Sequence, residues 1–308
     1  MRIVFMGTPD FAIPSLRALI ESGRDVVGVV TQPDKPKGRG RKLEPPPIKA
    51  LAERHGIRVL QPAKIKTDQF YKELSELRPD LICVAAYGKI LPKNILDLPT
   101  TGCINVHASL LPKLRGAAPI NWALIRGDTV TGITTMLMDE GMDTGDMLLK
   151  RELPIEEDDT AGSLSERLSL IGGELLIETL DALKENKLNP IPQNDDEATY
   201  ASMLKKEMGR IDWSLPAGEL RNFIRGMTPW PGAYMKLEGK LLKIFSAAVS
   251  EGSGAPGEAL KSEAGELLVA TGAGALKLLE LQIEGGKRLS ADVFLRGRKI
   301  GVGTVLGI

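Results

Sequence analysis

Histidine and cysteine are scarce in this chain, which contains two of each among 308 residues. No CxxC pair occurs, and His55 lies far in sequence from His107, so zinc-ligand spacing is absent and no metal site is expected. Cys83 and Cys103 both lie in apolar stretches, which is typical of buried thiols in a reducing cytosol. This scarcity argues against metal and thiol chemistry.

A charge excess and a long apolar run are missing as well. Forty basic and 40 acidic side chains cancel, so the charge of the whole chain predicts no partner. No apolar run approaches the roughly eighteen residues of a membrane span, and the opening MRIVFMG is typical of a strand rather than a signal peptide. We expect a cytoplasmic protein without a membrane partner. Residues 205–308 hold 15 Lys and Arg against 11 Asp and Glu, which permits a polyanionic partner.

Strand-like and helix-like stretches alternate through the first half of the chain. The apolar stretches RIVFMG, DVVGVVT, DLICVAAYG and GCINVH are separated by helical patterns such as PDFAIPSLRALIES and DQFYKELSELR. Such alternation predicts an α/β domain with a mostly parallel sheet and helices on both faces. Ligands of such sheets bind beyond the carboxyl ends of the strands, where INVH and VAAYG end.

The pattern changes beyond about Gly209. GAYMKLEG, KLLKIFSAAV, GELLVAT, ALKLLELQI and VGTVL are short strand-like stretches between Gly-rich turns, which predict a small antiparallel barrel or sandwich. Residues 160–188 predict one long helix or two, and the polar stretch that follows is typical of a linker. We therefore place the first domain at residues 1–189, the linker at 190–207 and the second domain at 208–308.

One segment, Thr31–Pro47, interrupts the first domain with five prolines and five cations. This composition predicts neither a strand nor a stable helix, but a loop longer than the about two to six residues of an ordinary βα connection. A solvated surface loop and a clamp that orders on a phosphate backbone both remain open. The five cations are Lys35, Lys37, Arg39, Arg41 and Lys42.

Asn105 and His107 stand two residues apart in a predicted strand, so both side chains project to the same side at its end. A carboxamide and an imidazole together suit chemistry at a carbonyl group. Either can donate a hydrogen bond to a developing oxyanion, and the imidazole can also move a proton near neutral pH. A histidine that is packed for structural reasons is the alternative.

The loop MDEGMDTGDM (Met138–Met147) strengthens the catalytic interpretation. It places two glycines and four acids after a predicted strand, with Asp143 at its centre. A carboxylate that reached the His107 ring would fix its tautomer and stabilise its cationic form. A turn built from Asp and Gly for backbone reasons is the alternative. The sequence has no GxSxG motif of a serine hydrolase and no Walker loop of a nucleoside triphosphatase. FMGTPDF lacks the glycines of a dinucleotide fingerprint, which argues against a dehydrogenase.

These stretches together resemble the folate-dependent formyltransferase family. NVHASLLPKLRGAAP and MDEGMDTGDM carry the likeness, and FMGTPDFAIPSL, TQPDKPKGRGRKLEPPPIKALA and RIDWS…RGMTPWPGA extend it over essentially the whole chain. The resemblance implies a Rossmann-like formyltransferase domain followed by a small OB-like β-barrel, and no metal. Lys113-Leu114 departs from the family's Arg followed by an aromatic residue, so we expect the outer packing of the folate loop to differ.

The resemblance also implies an activity, the transfer of a formyl group from 10-formyltetrahydrofolate to the amino group of methionine on initiator tRNA. It implies Asn105, His107 and Asp143 as the catalytic set, and we expect a monomer. The residues expected to bind folate are Ser109, Leu110, Leu111, Pro112, Tyr87 and Gly88. Those expected to bind tRNA are Lys37, Arg39, Arg41, Lys42, Lys205 and Lys206.

Two alternatives remain. Another folate-dependent formyltransferase, acting on a nucleotide-sugar amine or a purine precursor, would share the Asn-His-Asp set. The basic segment argues against it, because a small acceptor gives no reason for five cations there. The second alternative is an RNA-binding protein with an inert enzyme-like domain, against which the intact Asn105, His107 and Asp143 argue.

Overall fold

The computed structural model describes residues 1–37, 42–263 and 265–307 of the protein. The chain divides into two units, and the domain boundaries expected from the sequence stay a prediction that limited proteolysis would check. The first unit contains Met1–Pro119, Val130–Pro154 and Ser165–Ala201, and the second contains Ile120–Thr129, Ile155–Leu164 and Ser202–Ile308.

The strands and helices are labelled here in chain order. The strands are β1 (Arg2–Gly7), β2 (Asp25–Val30), β3 (Lys35–Lys37), β4 (Lys42–Glu44), β5 (Val59–Leu60), β6 (Leu81–Ala85), β7 (Cys103–His107), β8 (Arg115–Gly116), β9 (Val130–Leu137), β10 (Met147–Pro154), β11 (Tyr200–Ala201), β12 (Ala233–Leu237), β13 (Lys240–Ser250), β14 (Ala259–Glu263), β15 (Glu266–Ala270), β16 (Ala275–Ile283) and β17 (Leu289–Ser290). The helices are α1 (Ile13–Glu21), α2 (Pro47–Arg54), α3 (Asp68–Ser75), α4 (Lys93–Leu96), α5 (Pro119–Arg126), α6 (Ala161–Lys184), α7 (Ala217–Met227) and α8 (Ala291–Gly297). Within the described ranges, no helix combines the length and the apolar character that a membrane span requires.

One seven-stranded sheet forms the centre of the first unit, in the order β10-β9-β7-β6-β1-β2-β5. The strand β9 runs against its neighbours β7 and β10, whereas the pairs β7-β6, β6-β1, β1-β2 and β2-β5 are parallel. Every residue of β6 is buried, which is typical of a parallel strand covered on both faces. The predicted α/β domain with a mostly parallel sheet is confirmed.

The helices α3 and α4 cover the sheet face to which Asn105 and His107 belong. Phe70 of α3 and Ile95 of α4 pack with Cys103 of β7 in one apolar cluster. Full burial of such an apolar side chain typically contributes about 1.5–3 kcal/mol. Side chains two residues apart on a strand share a face, so Asn105 and His107 follow Cys103 on this side and lie at the carboxyl end of β7.

The second unit contains an antiparallel sheet in the order β12-β13-β16-β15-β14, with β17 paired to β16. The expectation of a small β domain after the α/β domain is confirmed, but one of its strands is wrong and one of its helices is missing. VGTVL is not a strand, since Val305 forms an isolated bridge to Glu258. The helix α7 is not predicted either, although Leu220, Ile224 and Met227 recur at helical spacing and are buried.

The basic segment Thr31–Pro47 contains two short strands where none is predicted. The strands β3 and β4 pair antiparallel, with Pro36 opposite Leu43. The argument from composition is wrong for these residues because a two-stranded ribbon supplies its own ladder of hydrogen bonds, and because proline is tolerated on edge strands. Arg39 and Arg41 lie outside the described residues.

Two glycines of α7 should respond oppositely to alanine. A Cβ on Gly218 would meet nothing within 4 Å, whereas one on Gly226 would lie 2.5 Å from Ile125 Cγ1 and 2.9 Å from the Asn121 carbonyl oxygen. We expect Gly218→Ala to stabilise by about 0.5 kcal/mol through helix propensity. Gly226→Ala should destabilise by about 1–3 kcal/mol through overpacking. Urea unfolding measures both, and shifts of the same sign would contradict this packing.

Candidate active site

The carboxyl ends of β6 and β7 lie side by side, with Val84 paired to Asn105. On the other side of β7, Thr134 of β9 is paired with His107. Asn105 is half-buried and His107 is buried. Among the described residues, the Asn105 carboxamide has no hydrogen-bond partner. A donor amide at a strand end is therefore available to a ligand.

Both ring nitrogens of His107 face oxygen atoms. Its Nε2 lies 3.0 Å from the carbonyl oxygen of Leu114. A carbonyl group accepts and never donates, so Nε2 carries a hydrogen and donates it. Its Nδ1 lies 3.6 Å from Oδ2 of Asp143, which is beyond hydrogen-bond length. The ring is therefore oriented with Nδ1 towards the acid, and the structure brings His107 and Asp143 together.

The Asp143 carboxylate is presented by a tightly bonded loop. Its Oδ2 accepts a hydrogen bond from the Gly116 N–H at 2.8 Å. The residue has a φ of 56°, in the left-handed region that non-glycine residues seldom adopt. A hydrogen bond spans Asp143 in the loop, because Oδ1 of Asp139 accepts from the Thr144 hydroxyl at 2.7 Å. Asp143 therefore approaches His107 from a defined backbone position.

The stretch Ser109–Pro112, predicted to bind folate, forms a loop that is bonded to β9. The Thr134 hydroxyl donates to the carbonyl oxygen of Ser109 at 2.7 Å and accepts from the Leu111 N–H at 3.1 Å. Leu110 is partly exposed, whereas the other three residues of the stretch are buried. The loop can therefore offer a ligand the Leu110 side chain and backbone groups.

Tyr87 and Gly88 follow β6, at the other predicted folate position. Tyr87 packs in the apolar cluster of this sheet face, and burial raises the pKa of its hydroxyl to about 12. Its carbonyl oxygen accepts hydrogen bonds from the Thr8 hydroxyl at 3.2 Å and from Gln32 Nε2 at 3.1 Å. Gly88 is exposed and has a φ of 78°. A ligand at this strand end would therefore meet the backbone rather than the phenol ring.

Four of the six cations predicted to bind tRNA are among the described residues. Lys205 and Lys206 belong to the second unit and are exposed at the beginning of a 3-10 turn. Lys37 and Lys42 are paired in register at the ends of β3 and β4. The positions 39 and 41 are not among the described residues, so the roles of these arginines stay predictions.

Two backbone groups of the site are not predicted from the sequence, the Leu114 carbonyl and the Gly116 N–H. They belong to a turn in which Leu114 has a φ of 59° and Gly116 a φ of 116°. A Cβ on Gly116 would lie 2.7 Å from the Ala201 carbonyl oxygen, so this turn needs glycine. The glycine of KLRG is the one signal of it in the sequence. Leu114 itself is buried, and Lys113 is exposed.

The two cysteine thiols and one nearby cavity do not contribute to this site. Burial raises the pKa of both thiols, that of Cys103 to about 12, so neither is a thiolate at neutral pH. A cavity of about 250 Å³ is lined by Ile104 and Leu148, on the opposite face of β7 from Asn105. The polar groups at the strand end are thus an amide, an imidazole and a carboxylate, which suit attack of a nucleophile on a carbonyl carbon.

Comparison with protein families gives the class. A family model described as "Formyl transferase" matches residues 1–180, and one described as "Formyl transferase, C-terminal domain" matches residues 203–299. The seven-stranded sheet, with Asn105, His107 and the loop that carries Asp143, lies within the first match, and the antiparallel sheet lies within the second. The class is that of the two-domain formyl transferases.

Curated relatives narrow this class to one family. The chain is 57% identical over 307 residues to the methionyl-tRNA formyltransferase of Citrifermentans bemidjiense, covering 100% of this chain and 96% of that protein. It is 58% identical over 309 residues to the methionyl-tRNA formyltransferase of Caldanaerobacter subterraneus subsp. tengcongensis, covering 99% of this chain and 100% of that protein. The chain belongs to the methionyl-tRNA formyltransferase family, and as such is a transferase.

A solved structure with the same fold is HypX from Aquifex aeolicus, crystallised in complex with tetrahydrofolic acid. Its TM-score is 0.64 at 21% sequence identity, and the match covers 96% of this chain but 47% of HypX. The chain therefore spans about half the length of HypX. At this identity the likeness supports the fold.

Proposed function

We propose that this protein transfers a formyl group from 10-formyltetrahydrofolate to the α-amino group of methionine on initiator tRNA, for translation initiation. The observation that carries the proposal is the available Asn105 carboxamide beside the His107–Asp143 pair, in a chain more than half identical to methionyl-tRNA formyltransferases. The tetrahydrofolic acid complex of HypX supports a folate-derived donor. The tRNA substrate argues for a cytoplasmic enzyme, and a monomer and the absence of a metal stay expectations.

Asn105 stabilises the oxyanion that forms in the proposed reaction. The unprotonated amine attacks the formyl carbon, a C–N bond forms, and the carbonyl oxygen becomes an oxyanion. The Asn105 amide donates a hydrogen bond to this oxygen and stabilises it. The bond to N10 of the folate then breaks and the carbonyl re-forms. The attacking nitrogen loses one proton and N10 gains one, so the reaction balances without a further reagent.

His107 and Asp143 manage charge and protons in this proposal. The Nε2 hydrogen is donated to the Leu114 carbonyl oxygen, so Nδ1 is the ring nitrogen that can take part in the reaction. Nδ1 lies 3.6 Å from the Asp143 carboxylate, too far for a direct hydrogen bond. A proton on Nδ1 can be donated to the oxyanion or to a water between the ring and the acid. Asp143 stabilises that proton and accepts, through such a water, the one that the amine loses.

The Ser109–Pro112 loop and the Tyr87-Gly88 backbone frame the folate in this proposal. Both lie at the strand ends beside Asn105, and both offer mainly backbone groups, which suit the hydrogen-bonding edge of a pterin. Thr134 is the side chain that fixes the first of these loops.

Thr134→Val should weaken folate binding and leave catalysis intact. Valine keeps the shape, but the Ser109 carbonyl and the Leu111 N–H lose their shared partner. An unpaired buried polar group costs about 1–3 kcal/mol, so we expect the KM for 10-formyltetrahydrofolate to rise about tenfold and kcat to stay within about threefold. Thr131→Val is the matched control, because that buried hydroxyl on β9 has no hydrogen-bond partner within the described residues. An equal rise in KM for both variants would contradict the role of Thr134.

Cations supply the contacts to tRNA in this proposal. Lys205 and Lys206 are exposed, and the basic segment Thr31–Pro47 brings five more charges. Such contacts act on phosphates and make binding depend steeply on salt. Arg39 and Arg41 add a planar group that can bind phosphate with two hydrogen bonds.

Acceptor specificity tests the proposed function. The protein is incubated with 10-formyltetrahydrofolate and, separately, initiator methionyl-tRNA, elongator methionyl-tRNA and an amino-sugar nucleotide. We expect a high kcat/KM with the initiator tRNA and a much lower one with the other acceptors. Equal rates on the two tRNAs would remove initiator specificity, and formylation of the amino sugar alone would replace the proposed substrate.

A further inference from the structure

Gln193, in the polar stretch after α6, reaches the loop that carries Asp143. Its Nε2 donates hydrogen bonds to the carbonyl oxygens of Asp143, at 2.8 Å, and Gly145, at 2.7 Å. Its Oε1 accepts a hydrogen bond from Arg115 Nε at 3.0 Å. Both hydrogens and the oxygen of this amide are thus used. The reversed amide would set its oxygen against two carbonyl groups, so the network fixes the orientation.

Arg115 supports this amide from a buried position. Its side chain is 1% exposed, and its guanidinium also forms an ion pair with Asp195 at 2.8 Å. The next residue is Gly116, whose N–H binds the Asp143 carboxylate at 2.8 Å. The two-residue strand β8 therefore holds Asp143 twice, once at its carboxylate and once, through Gln193, at its backbone.

Asp143 sits in a backbone conformation that needs such support. Its φ of 56° lies in the left-handed region, which is disfavoured for a residue with a Cβ. Gly145 cannot be replaced by a residue with a side chain without a shift, because a Cβ there would lie 1.9 Å from the Leu137 carbonyl oxygen. Without the Gln193 bonds, the carbonyl groups of Asp143 and Gly145 would lose their shared donor.

We propose that Gln193 is a positioning residue for formyl transfer, which sets the approach of the Asp143 carboxylate to His107 by clamping the loop backbone. The inference rests on the function proposed above for Asp143. Gln193 acts through Asp143 and does not touch the reacting atoms. Its loss should therefore lower kcat, because a catalytic group misplaced by about 1 Å can cost on the order of a hundredfold in rate, and should leave KM nearly unchanged.

Gln193→Glu is the sharpest test. It keeps the size of the side chain and its acceptor for Arg115, but sets an oxygen against the Asp143 and Gly145 carbonyl oxygens. We expect kcat to fall about a hundredfold, with the KM for both substrates within about threefold. Gln193→Met removes the donors without adding charge and should show the same split with a smaller loss. Gln69→Glu, the same change at an exposed position of α3, is the control and should keep the wild-type kcat.

Amide hydrogen exchange over residues 139–146 tests this inference independently of the proposed function, because the measurement does not require the protein to formylate tRNA. Exchange should be faster in Gln193→Glu and Gln193→Met than in the wild type and Gln69→Glu. If the wild type formylates tRNA and Gln193→Glu keeps its kcat, the inference is overturned while the proposed function stands. If the wild type does not formylate tRNA, the exchange decides alone, and unchanged exchange in both Gln193 variants overturns the clamp.

Discussion

Replacing Asn105 by alanine is expected to lower kcat for formyl transfer about a hundred- to a thousandfold, the usual effect of removing one oxyanion donor. Among the described residues, the carboxamide has no hydrogen-bond partner, so its loss leaves no protein group unpaired. The free energy of unfolding should therefore change little. Steady-state kinetics with saturating substrates and urea unfolding measure the two quantities.

The control for this variant is Asn94→Ala, the same change at an exposed position of α4, which should keep the wild-type kcat. Titrations of Asn105→Ala with folate and with tRNA should give dissociation constants within about threefold of the wild type, because the amide is proposed to act in the transition state. A kcat close to that of the wild type, with both ligands bound normally, would contradict the assignment of Asn105.

Asp143→Asn should produce the second large effect, a fall in kcat of about a hundred- to ten-thousandfold, the range for loss of acid–base catalysis. Asparagine keeps the shape of the side chain and can still accept the Gly116 N–H. It removes the negative charge that faces His107 Nδ1 and the base that receives the amine proton. Single-turnover kinetics isolate this step from product release.

Asp25→Asn is the control for the loss of charge, because Asp25 is an exposed acid that lies 3.9 Å from Arg2 in a surface ion pair. Such pairs contribute little, so kcat and stability should stay at the wild-type values. Hydrogen exchange over residues 139–146 should be the same in Asp143→Asn and the wild type. If Asp143→Asn raised KM and left kcat unchanged, Asp143 would be a binding residue and the proposed proton path would be wrong.

The central sheet is predictable because buried parallel strands are nearly continuous apolar stretches, as in β1, β6 and β7. The helix α7 is harder to predict, since it contains two glycines and depends on the burial of Leu220, Ile224 and Met227. The ribbon of β3 and β4 is harder still, because its ladder, not its composition, holds Pro36 in a strand. Local composition indicates the conformational propensity of a segment, but not the stabilisation that strand pairing and burial contribute.

The site is predictable in its side chains and not in their backbone partners. The two-residue period of a strand puts Asn105 and His107 on one side of the sheet. It says nothing of the Leu114 carbonyl that holds Nε2, because that contact depends on the shape of the turn. The bond between Arg115 and Gln193 joins residues 78 positions apart, and their distance follows from the packing of β8 against the stretch after α6.

A single-turnover experiment tests the central claim most directly. Enzyme in excess is mixed with initiator methionyl-tRNA and saturating 10-formyltetrahydrofolate, and formylmethionyl-tRNA and tetrahydrofolate are measured over time for the wild type and Asn105→Ala. The proposed mechanism predicts that the two products form in equal amounts and that Asn105→Ala slows both about a hundred- to a thousandfold. Equal rates for the two proteins, or tetrahydrofolate formed without formylated tRNA, would contradict it.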